Sequence, residues 1–275
     1  MTTNEPWLSY VVCAAPRVGS GHLCDALAGV PGAGSPSEWF GRPMIHMRAG
    51  EWGLRSPVST IESPALLDSR RYLDRVRRQA THNGAVSVKV HWNQIEWCRD
   101  QLGFDPLDVV TGRPDVKYIR IYRDDLIAQT VSSLIASFTK VYYRRSGEDD
   151  RPSEEFRGNP TVEPRYDFSE LLRILDELAS IEYGWTPYLD SRAIVPHPVS
   201  YEQLTTDLTG TVNRVLEYLG LPARDVVTSA LVKQGGDLNR EFADRFRRDL
   251  TTSGVLADLP PRIRRRCLAG AADVG

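Results

Sequence analysis

The chain has 275 residues, enough for one large domain or two small ones, and its 41% hydrophobic and 25% charged composition excludes fibrous and disordered classes. Thirty-four Lys and Arg against 36 Asp and Glu give a formal net charge of -2. No broad basic field therefore draws it to nucleic acid or an anionic membrane, and any anion must be held by a local cluster. No stretch approaches the ~20 apolar residues of a membrane span, and the polar N-terminus lacks the profile of a secretory signal. Cys13, Cys24, Cys98 and Cys267 form no C-x-x-C pair, which argues against a zinc site or a disulfide framework. The expectation is a cytoplasmic protein with reduced thiols.

Tyr10 to Ala14 (YVVCA) is a short continuous apolar run, the pattern of a parallel strand buried on both faces. A glycine-containing turn, Arg17 to Gly21, and a helix, His22 to Ala28, follow it. The same strand-then-helix order recurs in Val86 to Val90 with Asn93 to Arg99, and in Val116 to Tyr122 with Asp125 to Phe138. Ala193 to Val195 is a further strand, leading past Pro196 and Pro198 to the periodic helix Thr211 to Leu219. Leu66 to Arg78 and Phe168 to Tyr183 read as amphipathic helices, the second with a core-facing stripe of Leu171, Leu172, Leu175 and Leu178. Gly41 to Pro64 and Arg144 to Arg165 have no clean period, and the second segment has the length of a mobile insertion. The pattern predicts one α/β domain over residues 1–275, with a central parallel sheet flanked by helices.

The turn Pro16 to His22 is the first segment with chemistry in it. Backbone N–H groups entering a helix N-terminus form a concave anion site, glycine permits close approach, and the helix dipole favours negative charge. Arg17 adds a cation and Ser20 a hydroxyl. The spacing is neither a Walker A loop nor G-x-G-x-x-G, and an ordinary tight turn would use the same glycines. Arg123 emerges at the end of the strand Val116 to Tyr122, at the same sheet edge as Arg17, with Ser132 and Ser133 one helix further on. Alone it would read as a surface ion pair with Asp124 or Asp125. Lys233 to Asn239 (KQGGDLN) offers a third basic, glycine-bearing segment. Three separated anion sites suit a nucleotide phosphorylated at two positions.

Together these segments resemble sulfotransferases that use 3′-phosphoadenosine 5′-phosphosulfate (PAPS), specifically the bacterial trehalose 2-sulfotransferase family. The likeness is carried by Tyr10 to Ser20 through Ser35 to Phe40 (SPSEWF), Val88 to Gln94 (VKVHWNQ), Tyr122 to Ser132, and Val199 to Leu204 with Leu216 to Leu221. The resemblance implies a P-loop-like sulfotransferase fold, PAPS as donor with 3′-phosphoadenosine 5′-phosphate (PAP) as product, no metal, and a homodimer. It implies that Arg17, Gly19 and Ser20, with the neighbouring Val18, Gly21 and His22, hold the 5′-phosphosulfate. Arg123 and Ser132 would hold the 3′-phosphate, and Lys233, Gln234 and Asn239 would belong to a closing loop. Two departures stand out: Gly21 replaces a usual Thr or Ser, and Val18 replaces another common hydroxyl. Loss of one charge-assisted donor costs ~1.5 to 3 kcal/mol.

Glu38 matches the family's catalytic glutamate, while Lys89 and His91, two residues apart on a strand, share one face. Histidine is poised near ~6.5, whereas a glutamate must be raised from ~4.3 by burial beside groups such as Trp39 and Phe40. Glu38 is the expected base, with His91 positioning the acceptor and Lys89 lending positive charge; His91 is the alternative base, as in the Lys-x-His pair of cytosolic sulfotransferases, and locally paired surface groups are the ordinary alternative. Trp39, Trp52 and Trp92 with Arg42, Arg48 and Arg55 offer flat faces and forked donors suited to a sugar, or alternatively aromatic core packing. The acceptor implied is a small carbohydrate-like molecule: trehalose, another glycoside, a nucleoside or a natural product. A non-catalytic nucleotide-binding relative would explain Gly21 and Val18. A P-loop-type kinase should show a Walker lysine and a Mg²⁺-binding hydroxyl, and neither is in place.

Overall fold

In the computed structural model, residues 6–110, 115–142, 162–225 and 236–269 are described. Strand β1 (Leu8–Ala14) is buried at every position. Its side chains alternate, Leu8, Tyr10, Val12 and Ala14 entering one core cluster and Val11 and Cys13 another, as a strand covered on both faces requires. Strands β4 (Ala85–His91) and β5 (Lys117–Tyr122) flank it, both parallel. Strands β2 (Ser37–Glu38) and β6 (His197–Ser200) pair outside these, giving the order β2-β4-β1-β5-β6, all parallel. A two-residue strand β3 (Thr81–His82) runs antiparallel to β4. The Asn83-Gly84 turn joining them has φ of 50° and 80°, the left-handed pair that a tight hairpin needs.

Helices α1 (Ser20–Ala28) and α8 (Leu208–Leu219) cover one face, Leu23 and Leu27 sharing a cluster with Val215 and Leu219. Helices α2 (Arg42–Glu51), α3 (Ser69–Ala80) and α4 (Trp92–Trp97) cover the other, placing Ile45, Tyr72, Val76 and Ile95 with Val86, Val88 and Val90. A third cluster joins α5 (Leu126–Thr139), α6 (Phe168–Asp190), α9 (Asp237–Thr252) and α11 (Pro261–Leu268), which follows the short α10 (Val255–Asp258). Leu171, Leu175 and Leu178 of α6 are buried in it, so the leucine stripe is core.

Three expectations shift. The strand placed at Ala193 to Val195 is a turn, with Ala193 at φ 51° and Val195 85% exposed. The strand is β6, where Pro198 is tolerated because the edge demands hydrogen bonds on one side alone. Helix α3 starts at Ser69 rather than Leu66, because the Asp68 side chain accepts from Arg71 N at 3.0 Å and caps it. The aperiodic Gly41 to Pro64 segment contains α2, announced by Pro43 in its first turn. Among the described residues no helix is long and apolar enough to cross a membrane.

The chain leaves β1 toward β2 on one side and β5 toward β6 on the other. The carboxyl ends of β1 and β5 therefore bound the crevice where an open parallel sheet binds ligands.

Candidate active site

The loop after β1 is unusual in its backbone. Arg17 (φ 65°) and Gly19 (φ 80°) are both left-handed, a conformation a side chain resists. A Cβ on Gly19 would also stand 2.7 Å from Tyr201 Cδ2, so both conformation and space demand glycine. Gly19 caps α1 without a side-chain bond, leaving first-turn N–H groups and the Ser20 hydroxyl for a ligand. Gln129 Nε2 donates to Pro16 O at 2.8 Å and ties the loop to α5. Arg17 reaches away from its own loop: Nε donates to Ser132 Oγ at 2.9 Å and Nη1 to Tyr142 O at 2.7 Å. Its guanidinium thus joins the loop after β1 to Ser132, the hydroxyl expected at the second phosphate.

Arg123, just past β5, lies 4.3 Å from the Tyr201 ring centroid, where Tyr201 opens the short helix α7 (Tyr201–Thr206) after β6. Its Nε is buried with no hydrogen-bond partner among the described residues. Burial raises the Tyr201 hydroxyl while the charges of Arg123 and Arg17 pull it down, which places both cations around one ring.

Pairing of β2 with β4 sets Glu38 opposite Lys89. Glu38 Oε2 lies 2.6 Å from Lys89 Nζ, Oε1 accepts from Gln94 Nε2 at 2.7 Å, and His91 Nε2 stands 3.9 Å from Oε2. Burial by itself would raise the Glu38 carboxyl, but the Lys89 and His91 charges and the bonds from Lys89 and Gln94 outweigh it and hold it at about 2. The expected upward shift is overturned because an ammonium shares its site. His91 is lowered to about 4 by burial, with Glu38 pulling up and Lys89 pushing further down. At neutral pH the cluster is a carboxylate beside a neutral ring.

One cavity of about 1180 Å³ joins these groups: it is lined by Arg17, Gly19, Ser20, Gly21, His22, Arg123 and Ser132, by Glu38, Lys89 and His91, and by Trp39, Arg42, Arg48 and Trp97. Arg42 lies 5.2 Å from the Trp97 ring and Arg48 5.8 Å from the Trp39 ring. The cavity thus brings basic and hydroxyl side chains together with a carboxylate–ammonium pair.

The Stf0 sulphotransferase family model matches residues 9–249. The chain belongs to that family. The trehalose 2-sulfotransferase of Mycolicibacterium smegmatis is 27% identical over 281 residues, covering 90% of this chain and 97% of the relative. That of Mycobacterium tuberculosis is 25% identical over 270 residues, again covering 90% and 97%. Among solved structures, a sulfotransferase from Alicyclobacillus acidocaldarius aligns at TM-score 0.42 and 14% identity, covering 94% of this chain and 98% of the other. The sulfotransferase domain of the Synechococcus PCC 7002 olefin synthase aligns at 0.43 and 18%, covering 100% and 98%.

Not every residue expected in this sulfotransferase's site is there. Val18 is wholly buried in the core, so its lack of a hydroxyl removes nothing from the cavity, whereas Gly21 lines it. Trp92 packs edge-on against Trp185 at 5.4 Å and over Gly184, off the cavity lining. Arg55 lines a separate hollow of about 390 Å³, its Nη1 3.2 Å from His46 Nε2. Trp52 stacks between Trp39 and Tyr72 in an aromatic cluster. Asn239 sits in the first turn of α9, off the cavity lining. Lys233 and Gln234, and most of the 144–165 insertion, lie outside the described residues. Gln94, Trp97, Tyr142 and Tyr201 line the cavity without having been anticipated. Gln94 and Trp97, three apart on α4, gave a helical-spacing signal but no charge to mark it.

Proposed function

We propose that this sulfotransferase moves a sulfuryl group from PAPS to a hydroxyl of a small carbohydrate-like acceptor. The observation that carries this reading is the single cavity that holds an amide-and-hydroxyl corner at the α1 N-terminus, a cationic corner at Arg17 and Arg123, and the Glu38–Lys89–His91 cluster. The donor set fits a doubly charged nucleotide: Ser20 with the α1 amide groups forms one corner, and Arg17, Ser132 and the buried Arg123 Nε form the other. When bound, PAPS supplies the activated sulfuryl group.

The chain's own part is positioning, charge and one proton. Corners fixed to β1, β5 and α5 hold reactants in line without rearrangement. Lys89 sets positive charge in the cavity, where charge on the reacting oxygens develops. Glu38, ionised at neutral pH, receives the proton of the acceptor hydroxyl. A weak base serves because, in a loose transition state of the phosphoryl-transfer kind, the attacking oxygen becomes acidic late. Trp39 presents a flat face and Arg42 a forked donor to a sugar ring and its hydroxyl rim, and trehalose is the first acceptor to test because both curated relatives are named for it.

The test incubates the protein with PAPS and a panel holding trehalose, other glycosides and nucleosides, and follows PAP and sulfated product by mass spectrometry. Calorimetry compares PAP with AMP. PAP release with one acceptor and tighter binding of PAP than AMP are expected; no release with any acceptor and no preference for PAP would overturn the reading.

A further inference from the structure

We propose that Gln94 is a positioning residue of the transfer site, holding the Glu38 carboxylate and fixing the His91 ring proton on Nε2, so that Glu38 accepts the proton and His91 donates a hydrogen bond. The assignment rests on the sulfotransferase reading above and decides which of the two groups works as base.

The amide of Gln94 cannot be turned round. The His91 backbone N–H donates to Gln94 Oε1 at 3.1 Å, so the opposite end of the amide is the NH₂ group. That NH₂ donates to Glu38 Oε1 at 2.7 Å and faces His91 Nδ1 at 3.4 Å. A ring nitrogen facing an amide N–H presents its lone pair, and a neutral imidazole then carries its hydrogen on the other nitrogen. His91 Nε2 is therefore a donor. It is buried, has no hydrogen-bond partner among the described residues and stands 3.9 Å from Glu38 Oε2, too far for a bond between them. An oxygen seated between Nε2–H and Glu38 would satisfy both, accepting from His91 while giving its own proton to the carboxylate. The acceptor hydroxyl has that chemistry. The titratable and charged groups around the cluster are Glu38 on β2, Lys89 and His91 on β4, and Cys24 and Asp25 on α1.

The same side chain also caps α4 through the His91 N–H, so the test must separate a helix cap from a role at the site. Gln94→Glu keeps an oxygen for the cap, removes both N–H donors and sets a second carboxylate against Glu38. Gln94→Ala removes everything. Nitrogen-15 NMR of the His91 ring needs neither nucleotide nor acceptor. In the unaltered protein at neutral pH it should show Nε2 protonated and Nδ1 bare, and in Gln94→Glu a proton drawn onto Nδ1. In turnover, Gln94→Glu should lower kcat on the order of 10- to 100-fold with PAP affinity unchanged, and move the acid limb of the kcat–pH profile upward. An Nδ1-protonated ring in the unaltered protein overturns the proposal. So does a Gln94→Glu variant that melts earlier but keeps its ring spectrum and pH profile. If the unaltered protein releases no PAP with any acceptor, the sulfotransfer reading falls and the transfer role of Gln94 with it, while the NMR still decides the ring proton.

Discussion

Arg266, on the last described helix, reaches back across the molecule to Arg123: its Nε donates to the Arg123 carbonyl oxygen at 3.1 Å and its Nη2 bonds the same atom. Its Nη1 pairs with Glu182 of α6, and Nη2 also approaches Gln129 Oε1 at 3.3 Å. Gln129 in turn holds Pro16 O. One guanidinium beyond the 9–249 family match thus braces both the end of β5 and, through Gln129, the loop after β1.

Arg266→Ala should weaken PAP binding about tenfold and lower stability by about 2 to 3 kcal/mol, since Glu182 is left largely buried and unpaired. Arg266→Lys should restore part of the stability but little of the affinity, because an ammonium cannot span the carbonyl and the carboxylate together. Calorimetric titration with PAP and scanning calorimetry report the two effects, and unaltered PAP affinity in the Ala variant would refute the brace.

Acid should destabilise the fold in two stages. His91 takes up a proton at about 4 when folded against an ordinary 6.5, so the unfolded chain binds more protons between those values and stability falls as pH drops through them. Glu38, held at about 2 against 4.5, contributes stability that is complete above 4.5 and lost as pH falls toward 2. Urea midpoints measured from pH 7 to 4 should decline, and His91→Gln should flatten the slope by removing on the order of 3 kcal/mol of it. An equal slope in the variant would contradict the buried neutral ring.

Gly19→Ala should cost about 1 to 3 kcal/mol, combining a left-handed backbone with a clash at Tyr201. Tyr201→Ala in the same chain should relieve the clash, so that the double variant is more stable than the sum of the single losses. Strict additivity in chemical denaturation would show that Tyr201 is not the obstacle.

Trp92 and Trp39 should part company in kinetics. Trp92→Ala empties a core contact against Trp185 and Tyr188 and should lose about 3 to 4 kcal/mol while leaving acceptor KM alone in the folded fraction. Trp39→Ala should raise acceptor KM several-fold, with PAPS KM held. A raised acceptor KM in the Trp92 variant would return that residue to the acceptor site.

The sheet was legible because β1 is buried at every position and written largely in apolar residues, while β4 and β5 alternate Val or Ile with polar residues; β6, an edge strand holding Pro198, has no such pattern and its position slipped. Glu38, Lys89 and His91 could be named from spacing and resemblance, yet the direction of the Glu38 shift could not. It depends on a β2–β4 register that places an ammonium 2.6 Å away, a contact 51 positions distant in the chain. Gln94 and Arg266 escaped for a related reason. An uncharged amide and one arginine in a basic terminal helix acquire meaning through the atoms opposite them.

All four cysteine thiols are buried, Cys24 on α1 beside the cavity and Cys267 next to Arg266. Burial lifts the Cys24 thiol to about 12 and the Cys267 thiol to about 11, so an alkylating reagent attacks neither while the native packing holds. The molecule therefore contains its own timers of local opening: the labelling rate at Cys267 clocks the release of the last described helix, and that at Cys24 clocks the opening of α1 beside the cavity.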